Sequence, residues 1–470
     1  MSYARVRASW NQGSLLPLSI SILVLVSLGA IENLGIATAM PMVEKEFGHV
    51  GLYGWVFAAY SLSSLFGGSF FGVVGDRYSL RLALGTAVVV FSVGLTLGGG
   101  STSMFGLVGA RMIQGFGYGG FVVLPYMMIS RYFEGAQKAK MLAAMASAWI
   151  VPSLFIPPVA GVVAEAWSWR LVFLGVIPIA LASGMLANHA LTKVEGGSKE
   201  HARRDVPLRS MLSRTLSGLG SAISVGAIVI ALSIRDPLIK YLVVFCGVLL
   251  FVLSVSRLVN TSGLYKRGDT LLILFVRGLS SFAFFGIESF LPFVLFSVKK
   301  MPITEAGLVL TASSFSWTAG SWLQARASQS VSYKVRVAIG LGIFMLSLGA
   351  LWLNFWDANL QGALSVVVWF VAGAGMGVVY PSVTLAGLGS AQTGSDGQLS
   401  SLLQIFDTGG FALSTGVFGL VLASGVNHLS VSLRIARYSI NYEVIIVVAL
   451  VATLAALVLA LSGRYSFLRS

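Results

Sequence analysis

The residues of this chain predict an all-α integral membrane protein, a bundle of spanning helices. Hydrophobic residues make up 56% of the 470 and charged residues only 10%, with a mean hydropathy of +0.87. Soluble domains carry about 25% charged residues. The apolar runs are long and unbroken, which suits helices rather than the short alternating strands of a membrane barrel. The 54 glycines fit helices that must approach one another closely in lipid.

Windows of about 20 apolar residues place fourteen spans. Six fall near 15–38, 51–74, 82–99, 104–129, 141–163 and 170–190. A polar stretch, "TKVEGGSKEHARRDVPLRSML", then runs from Thr192 to Leu212, and two spans follow near 215–234 and 238–256. The last six fall near 270–297, 303–325, 335–355, 362–386, 399–424 and 442–462. The expected division is a six-helix bundle over 1–191, a cytoplasmic loop with two linker transmembrane helices over 192–268, and a second six-helix bundle over 269–470.

Charge sets the expected orientation. Arg5 and Arg7 precede the first span, no small-residue cleavage site follows, and the segment reads as retained. With that end inside, 21 Lys and Arg lie on the cytoplasmic side and 8 on the other, while Arg111 and Arg277 stay within spans. The positive-inside rule then places both termini in the cytoplasm of a multi-pass protein of the cell membrane. The net charge of +14 is mainly topological, so nucleic acid is not an expected partner. Four scattered histidines offer no metal site, and no GxxxxGK[ST] loop offers a nucleotide site, so no cofactor is expected. The single cysteine, Cys246, excludes an internal disulfide and reads as an inert buried thiol.

The polar residues inside the spans carry the functional reading. A charge at the centre of a bilayer helix costs roughly 2.5–3.5 kcal/mol on insertion scales. In the first span, "LGAIENLGIATAMP", Glu32 shares a helix face with Gly29, Gly35 and Ile36. After the second comes "GVVGDRYSLR", where Asp76 is placed to cap the next helix or pair across an interface, with Arg77 and Arg81 as basic partners. The fourth contains "RMIQGFGYGG", with Arg111, Gln114 and Gly115 on one face. A buried Arg111 calls for an acidic partner, and Glu32 is the candidate.

In the fifth span, Pro157 and Gly161 precede "SWR" at Ser168 to Arg170. The ninth holds Glu288 four residues before Pro292. The tenth, "SSFSWTAGSWLQ", aligns Ser313, Trp317, Gly320 and Gln324, and the thirteenth aligns Gln404, Asp407, Phe411 and Ser414. Ionisable residues inside a membrane are functional by default, although the serine and tryptophan stripe also suits plain helix packing.

These segments resemble the major facilitator superfamily. Gly72, Asp76, Arg77 and Arg81 match its loop 2–3 signature, with Ser79 and Leu80 departing from it. Arg111, Gln114, Gly115 and Gly117 match its fourth-helix signature R-x-x-Q-G-x-G. Pro157 and Gly161 are what remains of the fifth-helix antiporter motif, so that part of the resemblance is degenerate. The pattern is most similar to the fourteen-helix drug/proton antiporter branch, with an actinobacterial cast around the first, ninth and thirteenth spans.

The resemblance implies a major facilitator fold in which two six-helix bundles rock about a central cavity. It implies a monomeric secondary transporter that exports amphipathic or cationic small molecules against protons. Glu32, Asp407 and Glu288 would couple the proton, and Trp317, Gln324, Tyr380 and Gln404 would line the substrate cavity. The two linker helices carry no motif and imply no transport role. Export or import of an endogenous lipid or metabolite uses the same core. A non-transporting sensor, and a membrane enzyme with a His/Asp/Glu cluster, are the other classes; no such cluster occurs in the sequence.

Overall fold

The computed structural model describes residues 12–195, 208–234, 236–261, 268–327, 330–357, 360–389, 396–426 and 429–463. The first bundle comprises α1 (Gln12–Phe47), α2 (Tyr53–Arg77), α3 (Leu80–Gly99), α4 (Met104–Tyr132), α5 (Gly135–Ser147), α6 (Ile150–Ala166), α7 (Arg170–Leu174) and α8 (Val176–Glu195). Next come α9 (Leu208–Ala231) and α10 (Pro237–Thr261). The second bundle is α11 (Gly268–Ser297), α12 (Ile303–Ala327), α13 (Tyr333–Trp356), α14 (Ala363–Gly389), α15 (Asp396–Ala423) and α16 (Val431–Ser462).

Local chemistry sets several helix starts. Ser79 accepts from Leu82 N at 3.1 Å to cap α3, and Ser103 accepts from Gly106 N at 3.1 Å to cap α4. Asp236 accepts from Ile239 N at 3.0 Å, just before Pro237 at the first position of α10. The expected fifth span is interrupted between α5 and α6, where the Ala148 carbonyl accepts a 2.8 Å hydrogen bond from Ser27 of α1. A backbone group freed by the break is thus satisfied inside the protein, as lipid requires.

Eleven helices among the described residues are long and apolar enough to cross a membrane. Three further expected spans fall on α6 (17 residues), on the Thr215–Ala231 part of α9, and on α12, which carries the serine and tryptophan stripe.

Backbone-close packing organises each half. A Cβ on Gly115 of α4 would collide with the Tyr60 carbonyl of α2, and one on Gly377 of α14 with the Trp317 carbonyl of α12. Both helix pairs depend on having no side chain there, because lipid offers no hydrophobic force to draw looser helices together.

The halves meet on the face that carries the His49 turn. Tyr53 packs its ring 5.2 Å from Phe290 and 5.0 Å from Phe293. A Cβ on Gly54 would strike the Thr415 carbonyl. Gly161 abuts Thr304, and Gly307 abuts Thr38 and Pro157.

The two intervening helices are unequal. α9 wedges against both halves, with Gly218 on Ser69 of α2 and Val229 on Gly416 of α15. α10 lies mostly on the outside. Cys246 on it is exposed rather than buried, because an outer helix that is apolar all round turns most of its surface to lipid.

Candidate functional site

α1 and α4 bring Glu32 and Arg111 together, as the sequence leads one to expect, in an ion pair with both side chains about 1% exposed or less. Arg111 has two further acceptors. Its Nε donates to the Val56 carbonyl at 3.0 Å and Nη1 donates to Gln114 Oε1 at 2.8 Å. The Tyr60 ring lies beneath the guanidinium, 3.9 Å from Cζ. Gly29 makes room for Tyr118, which stacks on Tyr60 with centroids 5.2 Å apart. Gly115 and Gly117 serve the same cluster by letting α2 and α3 close on α4.

The second half contains a counterpart that sequence reading did not pair. Arg277 Nε on α11 donates to Asp407 Oδ1 on α15 at 3.0 Å, and Nη2 to Oδ2 at 3.4 Å. Tyr380 of α14 donates its hydroxyl to Asp407 Oδ1 at 2.9 Å and lays its ring 3.7 Å from the guanidinium carbon. Thr384 accepts from Arg277 at 3.2 Å. Among the described residues, Arg–carboxylate pairing over a tyrosine ring therefore occurs once in each half, combining a charge-assisted hydrogen bond with a cation–π contact. The second clamp is less sealed, at 16% and 18% side-chain exposure. The signal was present in the sequence as an unexplained Arg277 inside a span.

Glu288 on α11 stands apart from both arginines. Ser313 Oγ donates to its Oε1 at 2.9 Å and Trp369 Nε1 to the same oxygen at 3.4 Å. Trp317 and Tyr380 are together, with ring centroids 4.7 Å apart. The two expected cavity amides are not in that cluster. Gln324 lies two turns beyond Trp317, about 10 Å along the axis, and is 2% exposed with an unpartnered Nε2. Gln404 is exposed and donates to Thr408 on its own helix at 2.9 Å.

At the α2–α3 turn, Arg131 of α4 donates to Asp76 Oδ1 at 2.9 Å and to the Gly75 carbonyl at 3.0 Å. The cap of α3 comes from Ser79 rather than Asp76, because Ser79 sits at the N-cap position in extended backbone. Arg81 Nε reaches Asn188 of α8 at 3.0 Å, and the Arg77 guanidinium lies 5.8 Å from the Tyr78 ring centroid. Gly72 faces Val123 of α4.

On the opposite face, Arg170 and Trp169 of the "SWR" segment grip Glu46 of α1, with Arg170 Nη2 at 2.7 Å and Trp169 Nε1 at 2.7 Å. Glu165 at the end of α6 reaches across the two halves. It accepts from the Ile303 and Thr304 backbone N–H groups and, at 2.7 Å, from the Thr304 hydroxyl. Pro157 and Gly161 of the degenerate fifth-helix motif line this same contact.

Known proteins agree with this architecture. The family model of the Major Facilitator Superfamily matches residues 20–415. The multidrug transporter protein MdtP of Bacillus subtilis (strain 168) is 21% identical over 410 residues, covering 86% of this chain and 74% of its own length. The multidrug efflux pump SdrM of Staphylococcus aureus (strain N315) is 23% identical over 371 residues, covering 77% and 79%.

Among solved structures, an inward-facing, unoccupied bacterial homologue of the human lysosomal transporter Spinster superposes with a TM-score of 0.68. Its identity is 12%, and 98% of each chain is covered. The xylose transporter XylE from E. coli superposes at 0.60 with 15% identity, covering 94% and 97%. At those identities the likeness concerns the fold. Relatives and neighbours are transporters of small molecules across membranes, not enzymes. This multi-pass membrane protein, with a buried arginine–carboxylate clamp in each helical half, belongs to the Major Facilitator Superfamily.

Proposed function

We propose that this chain is a proton-coupled exporter of amphipathic or cationic small molecules, of the multidrug type, working by alternating access in the cell membrane. Fourteen spans, both termini in the cytoplasm and a monomeric state belong to the same reading. The observation that carries it is the presence of one arginine–carboxylate clamp inside each half, where a proton on the acid would alter how the two helices it ties pack together. The names of the relatives at 21–23% identity support the export of drugs.

The mechanism follows from the charges. In the closed state of the His49 face, Glu32 neutralises Arg111 and ties α1 to α4. A proton on Glu32 removes one charge of the pair, so the arginine falls back on Gln114 and the Val56 carbonyl, and α1 is released. Asp407 does the same for α11 and α15. Outward export then draws on protons returning down their gradient.

The test uses inside-out vesicles with an imposed proton gradient read by a pH-sensitive dye. Lipophilic cations and neutral amphiphiles are added to wild type and to Glu32→Gln. Collapse of the gradient on adding substrate is expected in wild type and is lost in the variant. Unchanged collapse in the variant would reduce Glu32 to a structural acid. A wild type that ignores every compound would transfer the assignment to a narrow endogenous cargo.

A further inference from the structure

The outer surface of the first bundle carries a polar niche at the end opposite the His49 face. Ser79 at the cap of α3, Arg81 and Leu82 in its first turn, and Asn188 of α8 line a cavity of about 380 Å³ there. Arg81 Nε donates to Asn188 Oδ1 at 3.0 Å, which fixes the guanidinium on the cavity wall. Among the described residues Asn188 is the only acceptor for Arg81, so both Nη groups keep their N–H bonds for another partner.

Positive charge gathers around this niche. The first turn of α3 contains no acid, and its N-terminal N–H groups add a positive partial charge. Lys193, in the last turn of α8, is exposed at the same end. Asp76, the acid nearest in sequence, is held by Arg131. An anion is the ligand these groups suit.

An apolar groove leads away from the niche. A Cβ on Gly184 of α8 would collide with Val88 of α3, so the two antiparallel helices touch closely there. Gly85 lies one turn from Arg81, and a Cβ on it would meet nothing within 4 Å. Helical spacing puts Gly85 on α3 and Met185 on α8 on the same side of the Val88–Gly184 contact. Leu82 and Val89 flank the notch from α3, and they and Met185 are at least half exposed. The surface is therefore cationic at one end and open hydrocarbon along the rest. A bilayer supplies a molecule of that shape, with a phosphate at one end and acyl chains behind it.

We propose that the α3–α8 groove binds an anionic phospholipid, with its phosphate on the two Nη groups of Arg81 and one acyl chain in the Gly85 notch. The guanidinium fork matches two oxygens of a phosphate diester. A zwitterionic lipid offers the same phosphate but brings a cation into a region already positive, so a net negative headgroup binds more tightly. Free phosphate satisfies only the fork and gains nothing from the notch. The bound lipid ties α3 to α8 from outside, in parallel with the Arg81–Asn188 hydrogen bond.

The experiment measures lipid binding to the full chain by native mass spectrometry, titrating phosphatidylglycerol or phosphatidylcholine of equal chain length into the detergent-solubilised protein. Wild type, Arg81→Gln, Arg81→Lys and Gly85→Leu are compared. Leucine at position 85 enters open space, so its melting temperature without lipid should match wild type while the notch is filled. Wild type should bind one phosphatidylglycerol more tightly than any phosphatidylcholine. Arg81→Gln and Gly85→Leu should each weaken that site by about tenfold or more, the scale of one charge-assisted contact, and Arg81→Lys should keep part of it. Excess inorganic phosphate should leave the lipid bound. Wild-type phosphatidylglycerol affinity in both Arg81→Gln and Gly85→Leu overturns the proposal. Loss in Arg81→Gln alone, with displacement by inorganic phosphate, makes the niche a free-anion site and overturns the lipid assignment. Equal affinity of wild type for the two lipids overturns the choice of an anionic headgroup.

Discussion

At the scale of single residues, the two clamps are alike in chemistry and different in exposure, and the difference sets what substitution does. Glu32 and Arg111 are sealed, so removing one partner leaves a charge uncompensated, at a cost of about 3–5 kcal/mol. Glu32→Ala should therefore lower the melting temperature of the purified protein well below that of Glu32→Gln, whose amide oxygen can still accept from Arg111. Equal melting temperatures would mean that Arg111 is adequately held by Gln114 and the Val56 carbonyl.

Arg111→Lys tests the fork itself. The guanidinium spends Nε on Val56 and Nη1 on Glu32 and Gln114 while covering the Tyr60 ring. An ammonium can keep the charge but cannot cover those directions together. Loss of substrate-triggered proton flux is expected despite the retained charge, and wild-type flux would show that only the charge matters.

At the scale of elements, the contact between α6 and α12 is one of those that must break for the His49 face to open. Glu165 caps the start of α12 from the other half, so separation of the halves strips α12 of its cap. Glu165→Ala removes charge-assisted hydrogen bonds worth about 1.5–3 kcal/mol each, and the open form should gain population by about tenfold or more. Thr38 is fully buried under this face. Thiol labelling of Thr38→Cys by a membrane-impermeant reagent, in a Cys246→Ser background, should speed up correspondingly. An unchanged labelling rate would show that the apolar contacts of Tyr53 hold the face closed without the cap. α9 belongs to the same discussion, because it packs on α2 and α15 and so lies along a seam that rocking would shear.

At the scale of the whole molecule, the halves are closed on the His49 side, and alternating access requires that closure to be reversible. Gly51 and Ala423 face each other across it, with a Cβ on Gly51 lying 3.6 Å from the Cβ of Ala423. That is disulfide geometry, which spans about 3.5–4.5 Å. Gly51→Cys with Ala423→Cys, again with Cys246→Ser, should oxidise readily and stop transport, and a reductant should restore it. Transport that persists in the oxidised double variant would exclude rocking at this face.

The helices, their near boundaries and the Glu32–Arg111 pair were legible along the chain because each depends on local facts. Those facts are an apolar run long enough for the bilayer, a glycine at helical spacing, and an intramembrane charge that needs an opposite one. The loop 2–3 segment was legible as a motif but not as a geometry. Asp76 turned to Arg131, fifty-five residues on, while Ser79 took the cap.

The partner of Arg277 was not legible at all, since Asp407 lies 130 residues away on a helix whose rotation is set only by packing. The same holds for the neutral surroundings of Glu288, for α9 lodging between the halves, and for the exposure of Cys246. Hydropathy records that a segment must leave water. It does not record which of its faces meets lipid and which meets another helix, and in a bundle this apolar only close packing makes that choice.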